Sequence, residues 1–178
     1  MNATPPQKSS PGRAAWEVAQ AILLALVLAL LIRHYVVESF VVEGPSMEPT
    51  LYPGERLLVA KFVYYFRPPK RGDVIVFKPP KNTDKDYVKR IIAVGGDTVQ
   101  LKQGYVYVNG ERLDEPYVRF RSNTTTPPIR VPEGTVWVLG DNRPDSEDSR
   151  DFGEVPVSSI RGEAVLIWWP LSAAAVLP

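Results

Sequence analysis

Ser39-Phe40-Val41-Val42-Glu43-Gly44-Pro45-Ser46-Met47-Glu48-Pro49-Thr50-Leu51 follows shortly after an apolar run of membrane length and passes from a strand-like segment into a stiff turn. Residues 39–43 carry the aromatic and β-branched side chains that suit a pleated strand. Pro45 and Pro49 bar the serine between them from a helix interior, because proline there removes a ladder hydrogen bond and clashes with the preceding turn. Ser46 is therefore expected at the end of a strand, on a turn that aims its hydroxyl outward. The chain has one histidine, His34, and no cysteine. If Ser46 is a nucleophile, His34 is the only imidazole available to it, and His34 borders the apolar run. A lysine base is the economical alternative.

Composition narrows the classes. The 178 residues with a net charge of +1 suit one domain and an anchor. Roughly 140 residues remain after the apolar run, enough to bury one core. No basic face stands out, so there is no electrostatic case for nucleic acid. Without cysteine there is no disulfide framework or thiolate chemistry. One histidine and no thiol leave nothing to hold zinc, and neither metal nor cofactor is expected. The 18 prolines require many turns, edges and extended loops.

Upstream of the quoted stretch, residues 1–13 are polar, rich in proline and serine, and read as a disordered cytoplasmic tail. Residues 14–32 are nearly all apolar and would span about 29 Å as a helix, close to a bilayer core. The anchor is placed at residues 14–37. A cleaved signal peptide is the rival reading, but no small-x-small site follows the run, and cleavage there would leave little chain before Ser46. Lys8, Arg13 and the α-amino group precede the run and Arg33 follows it, which favours a cytoplasmic N-terminus.

Downstream the pattern is β. Strands are expected over residues 39–43, 56–63, 73–77, 87–94, 104–108, 135–139 and 164–169, with Asn109-Gly110 as a hairpin turn. Charged and proline-rich stretches at residues 67–71, 79–86 and 122–132 separate them. There is no internal repeat and no long amphipathic helix. The fold class is mainly β: an antiparallel catalytic sheet with long loops over residues 38–178, preceded by one transmembrane helix.

In a strand over residues 87–94, Tyr87, Lys89 and Ile91 share one face, while Val88, Arg90 and Ile92 share the other. A lysine is a base only when neutral, and at a free pKa near 10.4 only about 0.4% is neutral at pH 8. An apolar face lowers that pKa. A solvated strand lysine is the plain alternative. The loop Gly140-Asp141-Asn142-Arg143-Pro144-Asp145-Ser146-Glu147-Asp148-Ser149-Arg150-Asp151-Phe152-Gly153 mixes both charge signs with hydroxyls. It is either solvated or a buried network in which Ser146 or Ser149 orients a lysine amine. A calcium loop of the EF-hand kind fails, because Arg143 and Pro144 stand where ligands and the turn glycine belong.

Together these elements resemble the type I signal peptidases of bacteria, in their short single-span form, over roughly residues 40–170. That family's serine motif ends Ser-Met-x-Pro-Thr-Leu, as do residues 46–51. Its Gly-Asp-Val-Ile-Val-Phe block stands unbroken at residues 72–77. Its Tyr-Val-Lys-Arg-Ile-Ile block stands at residues 87–92, ahead of Gly96-Asp97. Its Gly-Asp-Asn-Arg and Ser-x-Asp-Ser-Arg blocks stand at residues 140–143 and 146–150.

The resemblance implies roles at the matching positions. Ser46 would be the nucleophile, Lys89 the general base, and Ser146 the hydroxyl that orients the amine. Asp148 with Arg150, and Asp141 with Arg90, would be supporting pairs. The Ser46 main-chain N–H would serve the oxyanion. The position of the family's second hydroxyl donor is Gly44 here, and Pro144 stands where aspartate is common. Phe40, Val42, Leu51, Tyr87 and Val88 would wall shallow pockets for small substrate residues.

The resemblance further implies a monomeric, bilayer-anchored endopeptidase on the outer face of a bacterial plasma membrane, acting on preproteins that bear signal peptides. Two alternatives remain at this point. Another serine–lysine protease, such as a self-cleaving repressor, would carry a DNA-binding domain where the apolar run stands. A non-catalytic anchored β domain would leave the serine, lysine and loop blocks unexplained.

Overall fold

A computed structural model describes residues 11–80 and 84–177. The chain divides into two compact units, Met1–Val36 and Val37–Pro178. Among the described residues the first holds the helix α1 (Pro11–Tyr35). Proline at its first position loses no hydrogen bond there. From Gly12 to Leu30 the helix is long and apolar enough to cross a membrane. Arg13, Glu17 and Gln20 share one side of its first turns, and from Ala21 to Leu30 every side chain is apolar and exposed. The tail read over residues 1–13 lies outside the described residues as far as residue 10, and residues 11–13 form the first turn of α1. Residues 81–83 of the loop expected at 79–86 also lie outside them.

The second unit is antiparallel β. In chain order it comprises β1 (Val37–Val41), β2 (Arg56–Ala60), the single helical turn α2 (Val63–Phe66), β3 (Val74–Phe77), β4 (Tyr87–Val94), β5 (Thr98–Lys102), β6 (Tyr105–Val108), β7 (Glu111–Arg112), β8 (Ile129–Arg130), β9 (Thr135–Leu139), the short helix α3 (Ser149–Phe152), β10 (Val155–Pro156), β11 (Ile160–Trp169) and β12 (Ala175–Val176). The larger sheet runs β1-β2-β11-β3-β4-β9-β10, with β12 on β11; the smaller runs β7-β6-β5-β8.

Burial explains the strand sequences. Val74 and Val76 of β3 enter one apolar cluster with Met47, Leu51, Leu57 and Val59. Ile75 and Phe77 enter another with Ile91, Val136 and Val138. Both faces of β3 are covered, so its sequence is continuously apolar rather than alternating. A third cluster joins the sheets through Ile92, Val99, Leu101, Val106 and Leu139.

The boundaries differ from the sequence reading in physically clear ways. The strand expected over residues 56–63 stops at Ala60, its last paired residue: Ala60 lies opposite Val37, the first residue of β1, on one side and Glu163 of β11 on the other. Val63 instead opens α2, whose Tyr65 and Phe66 are exposed. The strand expected over residues 164–169 begins earlier, at Ile160, because it has β3 to pair with before β2. The alternating run Thr98–Lys102 was not read as a strand and pairs with β6. Asn109 and Gly110 form the expected β6–β7 turn, both with positive φ (54° and 86°).

Candidate active site

Ser46 lies in the connection between β1 and β2. That connection is closed by hydrogen bonds between Val42 and residues 54 and 55. The side chains flanking the serine turn hold it down. Met47 and Leu51 are wholly buried, and the Leu51 N–H donates to the Met47 carbonyl at 3.0 Å. From the other side the turn that follows β9 grips the backbone. The Asn142 N–H donates to the Ser46 carbonyl at 3.0 Å, and Asn142 Nδ2 donates to the Pro45 carbonyl at 3.2 Å. A side chain at residue 140 has no room: a Cβ there would stand 2.5 Å from the Ser46 carbonyl oxygen and overlap Ser146 Oγ.

Lys89 comes from β4, where it lies opposite Ile75 of β3. It is 4% exposed, and its Nζ lies 2.6 Å from Ser46 Oγ and 5.4 Å from the centre of the Tyr87 ring. Burial pulls its pKa down to about 8, against the Asp148, Glu147 and Asp141 carboxylates, which raise it; Arg150 adds to the lowering. An amine of this kind, neutral at mildly alkaline pH, can accept the proton of a serine hydroxyl in contact with it as that oxygen attacks a carbonyl. His34 belongs to α1.

The neighbouring charges form a connected network. Arg90 donates from Nε and Nη2 to the two oxygens of Asp141 at 3.0 and 2.8 Å, and both side chains are almost fully buried. The Thr50 hydroxyl donates to Asp141 Oδ2 at 2.5 Å. Asp148 caps α3 and accepts from the Gly140 N–H at 3.0 Å, Ser146 Oγ at 2.8 Å and the Arg150 guanidinium at 2.8 Å. Ser149 accepts from the Val138 N–H at 2.9 Å. Among the described residues the hydrogen bond of the Lys89 amine is to Ser46, while the Ser146 hydroxyl is turned to Asp148.

Sequence reading passed over several members of this network. Thr50 and Asn142 stood inside quoted blocks with no role attached. Glu115, Tyr117 and Ser122 stood in a polar stretch without periodicity, and only three-dimensional proximity brings them to Arg143, Arg90 and Arg150.

Beside the Ser46–Lys89 pair runs a cleft of about 630 Å³, walled by Phe40, Val42, Val76, Tyr87 and Val88. Glu43, Lys85, Asp86 and Glu147 line it as well. Leu51 does not line the cleft: it is wholly buried in the cluster beneath Ser46, because the serine turn needs an apolar peg there. Gly44 lines the cleft with φ of 80°, a left-handed conformation in which a side chain is strained. Among the described residues no cluster of histidine, aspartate or glutamate could hold a metal ion.

The antiparallel β domain thus carries a buried serine–lysine contact at the edge of a cleft of mixed polarity. A profile of the family "Signal peptidase, peptidase S26" matches residues 15–169, and the chain belongs to that family. It is 39% identical over 176 residues to the probable signal peptidase I-1 of a Synechocystis species, covering 93% of this chain and 90% of that protein. It is 40% identical over 168 residues to signal peptidase I of Bacillus licheniformis, covering 88% and 90%. A crystal structure of a signal peptidase I from Enterococcus faecalis superposes with a TM-score of 0.49 at 35% identity, over 56% of this chain and 98% of that one.

The close approach at residue 140 leads to a testable outcome. Gly140→Ala should lower peptidase turnover by roughly a hundredfold, since the added methyl group displaces the Ser46 carbonyl. Overpacking should also lower stability by about 1–3 kcal/mol in urea unfolding. Wild-type turnover in the folded variant would contradict this geometry.

Proposed function

We propose that this peptidase is a membrane-anchored serine endopeptidase that removes N-terminal signal peptides from exported preproteins, with Ser46 as nucleophile and Lys89 as general base. The observation that carries the proposal is the 2.6 Å contact between Lys89 Nζ and Ser46 Oγ on a lysine that burial brings to about pH 8. The names of the relatives, signal peptidases I, support the substrate class.

In the proposed reaction the neutral Lys89 amine accepts the Ser46 hydroxyl proton as Oγ attacks the scissile carbonyl. The developing oxyanion accepts from the Ser46 N–H, which donates no hydrogen bond among the described residues. Lys89 then passes the proton to the leaving amine. It next deprotonates the water that releases the acyl group. Ser146, its proton on Asp148, keeps oxygen lone pairs with which to orient the lysine amine. The ion pairs Asp148–Arg150 and Asp141–Arg90 hold the loop and strand that supply these groups.

The base works only when neutral, so kcat/KM should rise with pH and level off above about pH 8, following the Lys89 pKa. Ser46→Ala and Lys89→Ala should each lower turnover by several orders of magnitude, and the double variant little further. His34→Ala should leave the chemical step nearly intact. A rising limb near the free value of about 10.4 would show that Lys89 is not tuned.

We place residues 1–13 in the cytoplasm and the β domain outside, with α1 as the span. The apolar circumference of α1 and the excess of positive charge ahead of it support this placement. Protease added outside spheroplasts should degrade the β domain and spare the tail. The opposite pattern would remove the domain from exported substrates.

Four side chains, Phe40, Val42, Tyr87 and Val88, narrow the cleft beside Ser46. An extended substrate would set the residue before the cut, and the one two earlier, against this wall. Alanine, glycine and serine should fit, and larger side chains should be excluded by overlap. In a preprotein library randomised at those two positions, frequent cleavage after leucine or lysine would sink this specificity.

A further inference from the structure

The segment that leaves β7, Glu115-Pro116-Tyr117, belongs to neither the dyad nor the cleft, yet together with Ser122 it touches all three arginines of the network. The Glu115 carboxylate is fully buried; it accepts from the guanidinium of Arg143, itself 1% exposed, and from Arg121 at 3.4 Å. The Tyr117 ring lies 4.0 Å from the Arg90 guanidinium carbon, and its hydroxyl donates to Glu115 at 3.3 Å. Ser122 Oγ accepts from Arg150 at 3.1 Å.

Those arginines bracket the turn at residues 140–142. Arg143 Nε donates to the Gly140 carbonyl at 2.9 Å, and Arg90 holds the Asp141 carboxylate. Asn142, the third residue of the turn, holds the carbonyls of Pro45 and Ser46. The Pro45 carbonyl and the Ser46 N–H belong to one planar peptide. The side chain that fixes this carbonyl therefore also fixes the direction of the N–H.

We infer that Glu115 and Tyr117 are positioning residues for the peptidase reaction: through Arg143 and Arg90 they set the residue 140–142 turn, and through Asn142 the orientation of the Ser46 peptide. The inference rests on the Ser46–Lys89 reading above. Two physical arguments carry it. A guanidinium buried as deeply as Arg143 is tolerated only with an anion beside it, so removing Glu115 frees Arg143 to seek another and to drag the Gly140 carbonyl with it. An arginine stacked on a tyrosine ring is held in one plane, which fixes the direction from which Arg90 meets Asp141. Neither Glu115 nor Tyr117 lines the cleft, so the effect should fall on the chemical step and not on substrate binding.

The test measures kcat, KM, the pH profile and the urea midpoint for the full-length protein in detergent, with a preprotein substrate. Glu115→Gln and Tyr117→Leu should lower kcat roughly ten- to a hundredfold per folded molecule, with KM within about twofold. The rising limb should stay near pH 8, because burial, the largest cause of the lowered Lys89 pKa, involves neither Glu115 nor Tyr117. Tyr117→Phe keeps the ring under Arg90 and should retain kcat within about twofold. Wild-type kcat in folded Glu115→Gln and Tyr117→Leu, whatever their stability, would overturn the inference, as would a rise in KM at constant kcat. If Glu115→Gln does not fold, the contrast between Tyr117→Leu and Tyr117→Phe decides alone. Ser46→Ala in the same assay separates the two readings: activity there removes the dyad, whereas an inactive Ser46→Ala beside unimpaired Glu115 and Tyr117 variants removes only the positioning role.

Discussion

The contact between Lys89 and Ser46 depends on keeping an amine dry. In water an ammonium holds its proton until well above neutrality and cannot serve as a base at the pH where most proteins work. Removing it from water is the available remedy, and the fold supplies it: β4 is an interior strand of the larger sheet, the Tyr87 ring lies 5.4 Å from Nζ, and the lysine residue is 4% exposed. The nearby carboxylates pull in the opposite direction. Desolvation is the largest contribution, and Arg150, which pairs with Asp148, adds to the lowering.

That arrangement explains why so much charge lies inside a small β domain. Arg90, Arg143, Asp141, Asp148 and Glu115 are all buried. Such pairs contribute little net stability, because desolvation cancels most of the attraction, but losing one partner is strongly destabilising. Their value lies in direction. Each guanidinium is planar and meets its carboxylate or carbonyl from a defined side. Five segments from different parts of the chain are thereby fixed around one serine: the β1–β2 connection, β4, the loop after β7, the turn after β9, and the N-terminus of α3.

Much of this was readable from the residues. The blocks at 46–51, 72–77, 87–92 and 140–150 pointed to the family, and the period of two along β4 placed Lys89 and Tyr87 on one face. The shortfalls have local causes. Leu51 reads as a wall of the substrate cleft and is instead the peg under the serine turn, because a short apolar side chain next to a proline-bounded turn can face either way until the core is assembled. The end of β2 depends on where its pairing with β1 and β11 ends, which its own residues do not encode. Glu115 and Tyr117 carry no periodic signal, since they lie in irregular chain between two sheets.

The sequence alone determined the family and pointed to a choice of base. With one histidine and no cysteine, and with a serine locked between prolines, a lysine on an apolar strand was the economical base, and the apolar run ahead of it has the length and composition of a membrane span. Those are properties of residue type and short-range spacing. Only the tertiary structure decided how far that lysine is dehydrated, which hydroxyl it touches, and which arginines hold the turn at residues 140–142. These depend largely on distances between residues far apart in the chain, such as Ser46 and Lys89, 43 positions apart, or Thr50 and Asp141, 91 apart. Burial and Coulomb interaction are set by such distances, and no local pattern of residues specifies them.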